Sequence, residues 1–270
     1  MKNKKISTSK NPGAQPKKTT PLFDYISFRK KYSIYTLALF GIIFILFLTS
    51  VFKNISFPLF WADESMTVVG SERVIEFGYP KVHDGKNVFY DLRHSDPELG
   101  IDKKTDAYIG GTSWLQYYYG VIGVKMASGY DDIYKKTGII RCTFAIIGVA
   151  GLLFLAFSLS CFFSSRFEKF LFGSLFFLYE LFSVSLALLL REARYYPLTI
   201  FLVSIITGIY ILARGTKKIN SWFGALLLAI SLWLLFFSFS SVYFILAVVI
   251  AAVEVLVFIY QSWKKESKAL

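Results

Sequence analysis

The sequence predicts an all-α polytopic membrane protein with about six transmembrane helices. Three observations carry that expectation. The chain is 55% hydrophobic with a mean hydropathy of +0.52, above the roughly 45–50% apolar content usual in soluble domains. Several apolar runs exceed about 18 residues, enough to cross a bilayer. The basic residues cluster in every second connection, as the positive-inside rule requires of a chain that crosses repeatedly. The alternating pattern of a transmembrane barrel is absent.

The spans read as 34–52, 138–163, 170–190, 195–213, 221–238 and 241–262. The first is too long for a signal-peptide core and lacks a small-residue cleavage site behind it, so it is expected to be retained. The last two share one apolar stretch too long for a single helix, and "SFSS" at 238–241 divides it. Cys142 and Cys161 lie in one run, about 28 Å apart along a helix, too far to bridge each other.

Charge sets the expected orientation. Segment 1–31 carries nine Lys/Arg against one Asp, and 164–169, 214–218 and 264–270 are also net basic. Loop 53–137 carries ten basic and twelve acidic residues. The basic pieces all fall on one side of a six-span chain, which the rule assigns to the cytoplasm. Residues 1–33 then form a disordered basic cytoplasmic arm, 34–262 the transmembrane module, and 263–270 a cytoplasmic tail. Loop 53–137 lies outside, in an integral plasma-membrane protein. The arm reads as a topology signal or as an anchor for anionic headgroups. No nucleic-acid partner is expected.

The outer loop carries two helical patterns. "DESMTVVGSERVIEFG", 63–78, is amphipathic and ends at Gly78 with Pro80 beyond, a helix stop. "TSWLQYYYGVIGVKMASG", 112–129, is dense in Trp and Tyr and suits a helix lying in the membrane interface. The turn-rich stretch between them holds His83 and His94, without metal-ligand spacing, and is expected to be a mobile loop able to close over a substrate.

The polar groups near the membrane edge are the candidate chemistry. Asp63 and Glu64 open the first loop helix. They read either as helix-start residues, with Asp63 the N-cap, or as a general base for a hydroxyl. "LLLREARYYPL", 188–198, places Arg191, Glu192 and Arg194 on the expected outer face, against the usual charge bias. Arginine's planar fork suits a phosphate, and Glu192 can hold one of the pair. Snorkelling arginines on a solvated turn are the plainer alternative. Arg141, near the outer start of the second span, is a phosphate contact or an interfacial anchor. Glu180 and Glu254 are acids inside spans, which are costly and often functional. Glu180 is expected to pair with an arginine; Glu254 has no assigned role. Tyr195 and Tyr196 line a carrier groove or anchor the interface.

"WADESM", "TSWLQYYYGVIGVKMASGYDDIYKKTGIIR" and "LLLREARYYPLTIFL", in this order relative to the spans, resemble the GT-C superfamily of integral membrane glycosyltransferases. The likeness runs over about residues 34–262. Within the superfamily it is nearest the family 39 type, the protein O-mannosyltransferases and bacterial aminoarabinose transferases. The resemblance implies inverting transfer of a sugar from a polyprenyl-phosphate donor to a lipid, glycan or protein acceptor on the extracytoplasmic face. It places the acceptor-activating acid at Asp63 and Glu64, and the donor phosphate near Arg191 and Arg194. Where relatives commonly show a "HPPLY"-type stretch, this chain has "TSWLQYY". The family usually has more spans, so the resemblance implies a short member, half of a split system or a truncated product. No cofactor is expected beyond the lipid-linked donor. A divalent cation held by Asp91, Asp96, Glu98, Asp102 or Asp106 is possible on the family pattern, but the residues show no metal constellation. The alternatives are a non-catalytic subunit or carrier-lipid-handling protein of a glycan assembly system and, last, a transporter, for which an internal repeat is missing.

Overall fold

The computed structural model describes residues 25–82, 101–102, 104, 106–108 and 114–266. Among them the chain is helical. The helices are α1 Tyr25–Phe52, α2 Ala62–Phe77, α3 Trp114–Ala127, α4 Ile133–Ser160, α5 Arg166–Phe182, α6 Val184–Arg191, α7 Tyr195–Tyr210, α8 Ser221–Ser238 and α9 Ser240–Glu266. A π-helical turn, Ile211–Gly215, extends α7. Five helical segments are long and apolar enough to cross a membrane, or six if the bent pair α5–α6 is one span.

Local sequence explains most boundaries. Asp132 caps α4 by accepting from the N–H groups of Tyr134 and Lys135, the bonds an N-cap carboxylate is suited to make. Ser165 and Glu168 form a reciprocal capping box at the start of α5. Asn220 caps α8. At the end of α2, Gly78 sits at φ +83°, a left-handed position that glycine fills without Cβ strain.

Two expectations are corrected here. The third span is not one straight helix, because α5 and α6 meet at Ser183 with an 80° bend. The arm expected over 1–33 overlaps α1, which starts at Tyr25. The stretch between the loop helices, with His83, His94, Asp91, Asp96 and Glu98, falls outside the described residues. Of the remaining cation candidates, the Asp106 N–H donates to the Asp102 carbonyl. No group of three potential metal ligands occurs among the described residues.

Packing between spans cannot draw on the hydrophobic effect, since lipid tails are as apolar as leucine; close contact must hold the helices together. Rings do this between α1 and α5. Phe177 is fully buried and meets Phe44 edge-on at 4.9 Å and Phe47 at 5.3 Å. Close approach at glycine does it between α4 and both α6 and α7. A Cβ added at Gly151 would lie 2.5 Å from the Phe201 Cα, and one at Gly148 would lie 2.4 Å from Leu190 Cδ2. By contrast α9 buries almost nothing and presents Phe244, Ile245, Val248 and Leu256 outward, a surface compatible with a bilayer. α3 packs on both α2 and α4, at one end of the bundle. That end, with the link Lys53–Trp61 and the α6–α7 turn, is called the loop face below.

Candidate functional site

The link from α1 to α2 runs apolar through "ISFPLFW", and its carbonyls need donors once they leave the helical ladder. Arg141, in the third turn of α4, supplies them. Its Nη1 donates to the Ile55 carbonyl at 3.0 Å and to that of Pro58, and its Nη2 donates to Leu59 at 3.4 Å. The remaining donors meet Glu64, with Nε to Oε1 at 2.8 Å and Nη2 to Oε2 at 2.6 Å. A guanidinium has five N–H groups, and all five are taken. The Phe60 ring lies 5.4 Å from its centre.

Glu64 is equally occupied. Besides the two Arg141 bonds, Oε1 accepts from the Ala193 N–H at 2.8 Å, and Oε2 accepts from the Trp61 N–H at 3.4 Å. That fills the four lone-pair sites of a carboxylate. Glu64 is 0% exposed and Arg141 6%. The pair therefore works as an internal brace joining the α1–α2 link, α2, α4 and the turn before α7. Trp61 is the N-cap residue of α2, so Asp63 lies inside the first turn instead of capping it.

Asp63 points the other way. Its Oδ2 lies 2.8 Å from Arg194 Nη1, with side-chain exposures of 37% and 17%. Arg194 is the residue before α7, and three rings surround its guanidinium, Trp61 at 5.1 Å, Tyr195 at 5.0 Å and Tyr196 at 5.2 Å. Each is within the reach of a cation–π contact. The Tyr195 hydroxyl donates to that of Tyr196 at 3.2 Å, and the Tyr195 ring packs on Phe239 at 4.7 Å. The collar ties the arginine to the α8–α9 corner.

Glu192 stands between these two pairs. Burial pushes its carboxyl above the usual range; Arg194 and Arg141 oppose that push, and Glu64 and Asp63 add to it. One of its oxygens is buried without a hydrogen-bond partner among the described residues.

Arg191 is not in this cluster. Its Nη2 donates to the Asn54 carbonyl at 2.8 Å. It lines an open cavity of about 440 Å³ with Leu46, Thr49, Ser50, Lys53, Asn54 and Leu181. The two cations there, Lys53 and Arg191, meet no carboxylate among the described residues. Among the described residues Glu180 forms no ion pair with an arginine; it lies in the last turn of α5, just before the bend that leads to Arg191. Glu254 does form one, with Arg214 at the π-helical end of α7, and it accepts the Tyr210 hydroxyl at 2.9 Å.

Of the residues singled out in the sequence, the structure thus gathers Asp63, Glu64, Arg141, Glu192, Arg194, Tyr195 and Tyr196 into one cluster, and leaves Arg191 beside it and Glu180 apart. Lys53, Trp61 and the link carbonyls were missed. No pattern marks a carbonyl that needs a donor, and Trp61 reads as one interfacial aromatic among many. No known protein family, no curated protein and no solved structure matches the chain.

Proposed function

We propose that the protein transfers a sugar from a polyprenyl-phosphate donor to an acceptor hydroxyl at the loop face, read as extracytoplasmic, with inversion. The observation that carries this reading is the 2.8 Å contact of Asp63 with Arg194 inside an aromatic collar. It sets a partly exposed base beside a guanidinium, at the edge of a bundle of membrane-length helices. Asp63 takes the proton of the acceptor hydroxyl. The acceptor oxygen bonds to the anomeric carbon as the bond from that carbon to the phosphate oxygen breaks, and the electron pair leaves with the lipid phosphate. Because phosphate leaves readily, the reaction needs positive charge at the leaving group more than a protonating acid. Arg194 supplies that charge on one side, and Arg191 with Lys53 supplies it from the neighbouring cavity. Arg141 and Glu64 have no free donor or acceptor left for substrate. Their part is to hold Asp63 and the α6–α7 turn in register.

The Lys53–Arg191 cavity also supports the second reading, a subunit that binds the carrier lipid without chemistry, since two unneutralised cations above an apolar wall suit a lipid phosphate. Labelled polyprenyl-phosphate sugars supplied to membranes containing the protein separate the two. On the first reading label moves to an acceptor, and Asp63→Asn and Arg194→Ala stop transfer while the protein still accumulates. Wild-type transfer rates in both variants would remove the catalytic assignment. Donor binding without transfer by the wild-type chain supports the second.

A further inference from the structure

A second cavity opens at the loop face, away from Asp63 and Arg194. It measures about 410 Å³ and lies between α2, α3 and the first turns of α4. Its walls are apolar, with Phe60 and Val68, then Val124 and Ala127, then Ile133 and Ile140. Two charged residues line it, Glu72 from α2 and Lys136 from α4. They are close enough for the Lys136 charge to act on the Glu72 carboxyl, yet they form no ion pair with each other. Arg73, which lies 3.8 Å from Glu76, acts on the Glu72 carboxyl more strongly than Lys136 does.

The depth of this cavity follows from its walls. Ile133 to Ile140 begin a 28-residue helix apolar enough to cross a membrane. Ile133 of its wall is exposed, as are Tyr130 and Tyr134 beside it in the chain and Ile122 and Met126 on α3. Lys135 lies 3.8 Å over the Tyr130 ring. Exposed tyrosines and isoleucines beside a lysine mark headgroup level in a bilayer. An apolar cavity at that level is open to lipid, and its unpaired carboxylate and ammonium call for an occupant carrying one group of each sign.

We infer that the cavity between α2, α3 and α4 binds a zwitterionic phospholipid with a primary-ammonium headgroup. Its ammonium meets Glu72, its phosphate meets Lys136, and its first acyl carbons lie along Val68, Val124 and Ile140. A phosphatidylglycerol headgroup supplies the phosphate and leaves Glu72 facing hydroxyls. An ammonium placed beside Glu72 adds to the Arg73 and Lys136 charges that already favour its ionised form. The inference is independent of sugar transfer, since none of the residues that touch the lipid touches the Asp63–Arg194 pair.

The test uses the full chain in nanodiscs made from equal amounts of phosphatidylethanolamine and phosphatidylglycerol with matched acyl chains. Lipid retained on the protein after detergent extraction is counted by native mass spectrometry. The ethanolamine lipid is expected to be enriched roughly fivefold, about what one partly exposed ion pair supports. Glu72→Gln should abolish the enrichment, and Glu72→Lys should reverse it toward the glycerol lipid. Lys136→Gln should lower retention of both. Glu72 is exposed and Lys136 half-buried, so the variants fold, and Gly41→Ala, at a position with nothing within 4 Å, serves as a control that leaves retention unchanged. Equal retention of the two lipids by the wild type, or a preference that survives Glu72→Gln, overturns the inference.

Discussion

Replacing Arg141 with methionine tests the brace at the loop face most directly. The substitution keeps a long apolar stem and removes five donors at once. Three link carbonyls, of Ile55, Pro58 and Leu59, lose their partners. Glu64, at 0% exposure, keeps only the N–H groups of Ala193 and Trp61. Stripping one partner from a buried ion pair costs about 3–5 kcal/mol. The reverse change, Glu64→Gln, is milder, because Arg141 keeps its three carbonyls and can still donate to the amide oxygen. Loss of charge-assisted bonds there costs roughly 1.5–3 kcal/mol. The double variant should lose less than the sum of the two, with a coupling of about 2 kcal/mol, within the range for residues in direct contact. Thermal unfolding in detergent, followed by far-ultraviolet circular dichroism, reads all three. A loss under about 1 kcal/mol for Arg141→Met, or strict additivity, would refute the brace.

Three further outcomes follow. Gly151→Ala forces a Cβ against the backbone of Phe201 and should cost about 1–3 kcal/mol in the same assay, whereas Gly41→Ala, where nothing lies within 4 Å, should change little. Arg194→Lys keeps the charge but loses the fork and the ring contacts, so the sugar transfer proposed above should drop about ten- to a hundredfold, the worth of one charge-assisted bond. Glu192 holds its proton to higher pH in the folded protein than in the unfolded chain, chiefly through burial. The stability it adds is complete below the ordinary carboxylate range and falls as pH rises through the folded value. Glu192→Gln should therefore raise Tm near about pH 8 and lose that advantage near about pH 4; a difference that does not vary with pH would count against it.

Spans that differ from their surroundings by bulk hydropathy were legible in the sequence. The expected 221–238 coincides with α8, and 195–213 lies within α7 and its π-helical turn. The first loop helix was legible because Gly78 is a local stop signal that the structure uses in the left-handed form. The break at Ser183 was not legible. Phe182 and Val184 continue the apolar pattern, and no Gly or Pro lies beside Ser183, so hydropathy cannot separate a straight span from a bent one. In the site, residue type singled out the charges near the membrane edge but did not pair them. Arg141 and Arg194 look alike to composition. Only the three-dimensional arrangement gives one a buried carboxylate with three carbonyls, and the other an exposed carboxylate with three rings. Glu254 had no assignable partner because Arg214 read as a topology charge.

The Glu64 carboxylate also imposes an order on biosynthesis. Three of its four donors, two from Arg141 and one from Ala193, reside on segments made long after it, the last 129 positions later. A nascent chain that has delivered only α1 and α2 holds a carboxylate with nowhere to settle, and it stays in water. The arrival of α4 brings the guanidinium, yet the amide of Ala193 comes only once the bent α5–α6 pair has been made and the turn after it has reached Glu64. The start of α2 is thus kept provisional until more than two thirds of the chain has been made. A chain inserted with the bent pair the wrong way round would leave that carboxylate short of a donor, a built-in mark of misassembly for quality control to find.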